Sequence, residues 1–90
     1  MTKDRIIVIA NKTVKDYFWI LGLEFMNTNQ VKLYVIDLYI PTAERLIRLF
    51  ESLGVEEVGE RGEKISTINT KTGKTIEVNV IILRKLGAIL

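Results

Sequence analysis

The chain has 90 residues, of which 48% are hydrophobic and 27% charged, a balance typical of one globular domain and not of a disordered segment. It contains neither cysteine nor histidine, which excludes disulfides, thiolate or imidazole metal sites, and catalysis by either side chain. The formal net charge is only +2, but residues 63–90 carry five basic and two acidic side chains, which indicates a local cationic surface.

The first predicted strand covers residues 5–10, an almost continuous β-branched run. Such a run is typical of a strand that is covered on both faces or lies in the middle of a sheet. Thr13 is the predicted N-cap of the following helix, and Asp16 completes a capping box three residues later.

The predicted helix over residues 14–26 is apolar nearly all round, and a 90-residue domain cannot easily bury such a helix by itself. We therefore expect a subunit interface there. The longest apolar run, residues 17–23, is too short to span a bilayer, and the first five residues lack the features of a signal peptide. We expect a cytoplasmic protein without membrane contact.

A second strand is predicted over residues 31–38, with Leu33 and Val35 on its inner side. An amphipathic helix follows, with Pro41 in its first turn and Gly54 as its left-handed cap. Residues 55–58 begin an extended segment that Gly59 and Gly62 interrupt with a bend or bulge.

The remaining pattern predicts a hairpin: a strand over residues 63–69, a turn over 70–75 with Gly73 at positive φ, and a last strand over 76–83. The order is β-α-β-α-β-β in one domain, residues 1–90. It predicts an α/β (α+β) fold with a four-stranded mixed sheet, two helices on one face and a protruding C-terminal hairpin.

Three segments, residues 9–14, 32–36 and 64–85, follow a known pattern. They resemble the Alba family of archaeal chromatin proteins. Ile9-Ala10-Asn11-Lys12-Thr13-Val14, with Tyr17 in register, is similar to the family's turn into its first helix. Lys32-Leu33-Tyr34-Val35-Ile36 is similar to its second strand, and residues 64–85 to its hairpin arm. The resemblance implies a nucleoid-associated protein that binds nucleic acid.

The chain departs from the family after the second strand, where members carry a Lys-x-Arg-Gly-Arg-type basic loop. Here the residues are Ile36-Asp37-Leu38-Tyr39-Ile40. Leu38, Tyr39 and Ile40 are expected in an exposed connection, where contiguous apolar residues mark contact surfaces. They are candidates for a protein-partner interface, for local packing as a lead-in to the second helix, or for base stacking by Tyr39.

Lys12 and Lys15 lie at the start of the first helix, where free backbone N–H groups and the helix dipole favour a phosphate. The resemblance matches Asn11 and Lys12 to the family's paired turn lysines. Lys71 and Lys74 flank the hairpin tip and are candidate phosphate contacts on a projecting arm. The alternative for all four lysines is a solvated surface side chain.

These observations favour a sequence-tolerant DNA- or RNA-binding protein that acts as a homodimer, or as a heterodimer with another Alba-like protein. The alternative is a diverged interaction protein that binds a partner through Leu38, Tyr39 and Ile40 with little nucleic-acid binding. No catalytic constellation, metal site, cofactor or small-molecule substrate is predicted.

Overall fold

The computed structural model describes residues 5–59 and 63–87, so the predicted bend at Gly62 and the first four residues lie outside the described part. The elements, in chain order, are β1 (Arg5–Ile9), α1 (Val14–Phe25), β2 (Gln30–Val35), a 3-10 turn (Asp37–Tyr39), α2 (Ile40–Glu51), β3 (Val55–Val58), β4 (Lys64–Ile68) and β5 (Thr75–Lys85). The predicted mixed α/β fold is confirmed.

The sheet has the order β1-β2-β5-β3, and β4 also pairs with β5. β1 is parallel to β2, whereas β2, β3 and β4 are all antiparallel to β5. β3 pairs with residues 82–85 and β4 with residues 75–79. The two short strands therefore follow each other along one edge of β5. The sheet has five strands where four were predicted, because β3 and β4 share that edge.

The core lies between the sheet and the two helices, which contact each other on one face. β2 contributes Val31, Leu33 and Val35, all fully buried, in the alternation expected of a strand with one covered side. α1 and α2 bury residues at spacings of three and four. Those side chains are Tyr17, Leu21 and Phe25 from α1, and Ala43, Leu46, Ile47 and Phe50 from α2.

The expected burial of β1 on both faces is wrong. β1 is an edge strand that pairs with β2 alone, and although Ile7 and Ile9 are buried, Ile6 and Val8 remain 47% and 49% exposed. The physical reason is that both helices cover the same side of the sheet. Its other side carries an apolar surface that no described element covers.

The predicted ends of the helices agree with the structure. Thr13 and Asp16 form the capping box of α1, Pro41 lies in the first turn of α2, and Gly54 follows α2 at φ 94°. The carboxyl end of α1 is capped by a side chain from β5: the Lys85 ammonium donates a hydrogen bond to the Phe25 carbonyl oxygen at 2.7 Å. No helix in the described part of the chain is long and apolar enough to span a membrane.

Candidate nucleic-acid interface

A two-stranded arm projects from one end of the sheet. β2 pairs only with residues 79–84 of β5, whereas β4 pairs with residues 75–79. Residues 75–78 and their partners in β4 therefore extend past the last contact with β2. Four residues of antiparallel strand extend about 14 Å, and the turn adds to that length.

The tip of the arm is held by local hydrogen bonds. The Asn69 N–H donates to the Lys74 carbonyl oxygen at 2.8 Å, and the Gly73 N–H donates to the Asn69 carbonyl oxygen at 2.7 Å. Gly73 has φ 72°, a conformation that glycine adopts readily. The Asn69 side chain accepts from the Lys71 N–H at 2.9 Å. This geometry leaves Lys71 and Lys74 exposed at the end of the arm.

The strand register places the start of α1 at the same end of the sheet as the arm. Ile9 is aligned with Val35, and Val35 with Asn79 at the base of the arm. The chain leaves β1 after Ile9, so Asn11 and Lys12 follow at this end, and both are exposed. Lys15, in the first turn of α1, is exposed there as well.

Tyr17 fixes the turn between β1 and α1. Its ring is buried, with 3% of the residue exposed, and its hydroxyl oxygen accepts from the Ala10 N–H at 2.6 Å and the Lys12 N–H at 3.4 Å. The Thr13 hydroxyl accepts from the Asp16 N–H at 3.2 Å, which fixes the next residues. Hydrogen bonds therefore fix the backbone at Lys12 and at the residues that follow it.

The four candidate lysines differ from Arg5, Lys64 and Arg84 in having no acidic partner. Within residues 5–59 and 63–87, no ion pair involves Lys12, Lys15, Lys71 or Lys74. Arg5 lies 3.7 Å from Glu24, and Arg84 is paired with Glu56. The arm tip and the start of α1 therefore each carry two exposed lysines that have no acidic partner among the described residues.

Asp37 joins the connection after β2 to the base of the arm. Its carboxylate accepts from the Asn79 side-chain amide at 2.7 Å and from the Lys64 ammonium at 3.2 Å. The Asn79 amide also donates to the Val35 carbonyl oxygen at 3.0 Å. The hydrogen bond from Asn79, followed by the hydrogen bond and positive charge of Lys64, lowers the pKa of the Asp37 carboxyl below its usual value.

The three residues Leu38, Tyr39 and Ile40 differ in their burial. Tyr39 and Ile40 are partly buried and pack against the core, in agreement with the alternative of a lead-in to α2. Leu38 alone is largely exposed, at 75%. The three side chains do not form one exposed surface.

Sequence reasoning missed the roles of Asp37, Asn79 and Lys64. Nothing in the local sequence around Asp37 or Asn79 indicates that the two side chains meet. The three residues meet only because β2, β4 and β5 are aligned across the sheet. The one indication in the sequence was that an acid, Asp37, stands where the Alba family carries a basic loop.

No family model and no curated protein matches this chain. The likeness to the Alba family therefore consists of the short segments described above, and the functional argument depends on the geometry of the arm and the turn.

The contacts of Tyr17 generate a stability prediction. Tyr17→Phe removes the acceptor of two backbone N–H groups next to the core, so we expect the free energy of unfolding to fall by about 1–2 kcal/mol. Tyr34→Phe is the matched control, because no hydrogen bond of the Tyr34 hydroxyl occurs within the described residues. Urea denaturation of both variants measures the difference, and equal stability of the two would contradict the assigned role.

The Asp37 contacts predict a carboxyl titration below the reference value of about 3.9. Because the pKa of Asp37 is lower in the folded state than in the unfolded state, the contact stabilises the fold at pH values above the unfolded-state pKa. This stabilisation is lost as the pH falls through the folded-state pKa. NMR titration of the Asp37 carboxyl carbon should show this low inflection. In Asn79→Ala the pKa should rise towards the reference value, and an unchanged pKa would argue against the hydrogen bond.

Proposed function

We propose that this protein binds DNA or RNA without strong sequence preference, by placing the arm tip and the start of α1 against the phosphate backbone. It acts as a dimer and associates with the nucleoid. The proposal takes up the expectation that the Alba resemblance raised. It is supported here by the placement of charge in the fold.

The observation that carries the proposal is the arm. A ribbon of two strands extends beyond the sheet, and its tip holds Lys71 and Lys74 with no acidic residue between positions 69 and 76. A ribbon of this width fits a groove of a duplex or follows its backbone. Ammonium groups without an acidic partner release counterions from a polyanion, which is the main source of affinity that is independent of sequence.

The side chains at this end of the molecule favour phosphate over base edges. The tip carries lysines and the hydroxyls of Thr70 and Thr72, which donate to phosphate oxygens, and no described arginine lies on it to read a guanine. The start of α1 adds the positive end of a helix dipole near Lys12, which the Asp16 carboxylate of the capping box partly offsets. Together these groups suit a ligand with repeating negative charge.

The alternative of a protein partner at Leu38, Tyr39 and Ile40 has one supporting observation, the exposure of Leu38 beside the base of the arm. The packing of Tyr39 and Ile40 against the core leaves too small an apolar surface for a specific interface. The nucleic-acid proposal is therefore the one pursued.

The first test replaces the two lysines of the arm tip. Lys71→Gln with Lys74→Gln should lower the affinity for a duplex by about tenfold at low salt and reduce the slope of log K against log salt by about 2. Arg45→Gln with Arg48→Gln is the control with the same change in net charge, at exposed positions of α2. Fluorescence anisotropy across a salt series measures both. The proposal fails if the wild type binds neither duplex, single-stranded DNA nor RNA at low salt.

The second test concerns the pair of Asp37 and Lys64. Asp37→Asn keeps an acceptor for Asn79 but frees the Lys64 ammonium, so affinity should rise about threefold to tenfold and the salt slope by about 1. Glu51→Gln makes the same charge change at an exposed position of α2 without freeing a lysine, and should have a smaller effect. Equal effects of the two variants would show that net charge alone is responsible.

A further inference from the structure

The outer edge of β1 carries backbone groups that point away from the sheet. β1 pairs with β2 on one side, and no described residue pairs with its other side. The Ile9 carbonyl oxygen accepts from the Ile36 N–H at 3.5 Å, so the backbone groups of Ile9 point towards β2. Because these groups alternate in direction along a strand, the N–H and C=O groups of Ile6 and Val8 point outward.

Tyr17 closes this edge at its carboxyl end. Ala10 continues the alternation after Val8, and its N–H donates to the Tyr17 hydroxyl oxygen at 2.6 Å. The outward groups of β1 that are left for a further strand are therefore those of Ile6 and Val8, on either side of Ile7. An extended chain is the ligand that satisfies such a row of donors and acceptors. The edge thus specifies a β-strand as its occupant.

β1 lacks the features that protect the other described strand edges. β3 has four residues, two of them glutamates, and β4 begins with a lysine. Short strands and charged side chains of this kind discourage pairing with another chain. β1 has no charged residue after Arg5, no proline and no bulge, and its outward-facing Ile6 and Val8 are about half exposed. Of these edges, β1 is therefore the one best suited to accept a strand.

The outward groups of β1 are symmetric about Ile7, which matches them to a second copy. When two β1 strands run antiparallel with Ile7 opposite Ile7, Ile6 of each copy lies opposite Val8 of the other. Both are hydrogen-bonded pairs, so the outward groups of these residues are all satisfied. A centre at Val8 would place Ile6 opposite Ala10, whose N–H is already donated to Tyr17. A centre at Ile6 would place Val8 opposite a residue that precedes β1.

The same alignment suits the side chains. Ile6 and Val8 lie on the face of the sheet that the helices leave uncovered, and the pairing sets β-branched side chains of the two copies side by side. A two-fold axis perpendicular to the sheet keeps the helices of both copies on the other face. Arg5 lies opposite Ile9 of the second copy, so the two guanidinium groups are well separated, and each stays beside its own Glu24.

The exposed side chains of α1 do not specify an occupant in this way. Trp19, Leu23 and Met26 are largely exposed, but apolar side chains accept partners of many shapes. The backbone groups of a strand edge accept only another extended chain. The subunit interface expected at α1 therefore stays a prediction, and the edge of β1 carries the inference.

We infer that two copies of this chain associate by antiparallel pairing of their β1 strands about Ile7, which joins the two sheets into one. This inference names the surface of the dimer in the proposed function and rests on that function only for the expectation that the chain dimerises. It is tested without nucleic acid, so that its failure and the failure of nucleic-acid binding are separate results.

Removal of one outward N–H tests the backbone pairing. Proline is tolerated where the N–H of an edge strand points outward, so Val8→Pro should leave the monomer folded. The wild type should sediment as a dimer at about 100 µM, and Val8→Pro should weaken dimerisation at least about tenfold. Ser66→Pro is the matched control, because the Ser66 N–H points away from β5 on the outer side of β4. It should remain dimeric.

A second pair of variants leaves the backbone intact, and it decides the matter where a proline variant unfolds. Ile6→Lys brings two like charges close together across the pairing, so it should also weaken dimerisation at least about tenfold. Ile68→Lys makes the same change at an exposed position of β4 and should remain dimeric. Circular dichroism checks the folding of each variant. A monomeric wild type at about 100 µM, or equal dissociation of a folded β1 variant and its control, would overturn the inference.

The register has its own measurement, because the chain contains no cysteine. With Ile7 at the centre, position 6 of one copy lies opposite position 8 of the other, with Cα atoms about 5.5 Å apart, within reach of a disulfide. Identical positions lie on the diagonal, about 7–8 Å apart. A mixture of Ile6→Cys and Val8→Cys should therefore form the mixed disulfide faster than either variant links to itself, as mass spectrometry shows. Faster self-linking of either variant would overturn the pairing about Ile7.

Discussion

The arm depends on a difference in strand length. β5 has eleven residues and β2 has six, and the register aligns Val35 of β2 with Asn79 of β5. The first residues of β5 consequently have no neighbour on that side and pair with β4 alone. The same alignment brings the carboxyl ends of β1 and β2 to the base of the arm. A shift of the register by one residue would turn Leu33 and Val35 away from the helices, so the core fixes the register and the register fixes the arm.

The second constraint is the size of the core. A chain of 90 residues buries a smaller share of its surface than a larger domain does, and here both helices cover one face of the sheet. Ile6 and Val8 on β1, and Tyr34 beside them on β2, are left on the other face without a covering element in the described part of the chain. The outer side of α1 is the second such surface. Apolar residues therefore lie on two separate surfaces of the molecule.

Local signals in the sequence predicted the elements well. The capping box of Thr13 and Asp16, the positive φ of Gly54 and the positive φ of Gly73 each depend on a few neighbouring residues, so they can be recognised without knowledge of the fold. The position of β1 could not be derived in this way, because an apolar run indicates a strand but not which strands will lie beside it. The contact of Asp37 with Asn79 joins residues 42 positions apart, and only the pairing of β2 with β5 creates it.

Asp37 has its effect on the electric field at this end of the molecule more than on stability. A solvent-exposed ion pair contributes little to the free energy of unfolding, because water screens the charges and two side chains lose freedom. Its electrostatic consequence is local, because the charge of Lys64 is offset by a carboxylate at the base of the arm. Lys71 and Lys74 at the tip have no such partner among the described residues. Where a basic connection after β2 would add positive charge beside the base of the arm, this chain places an acid that binds Asn79 and pairs with Lys64.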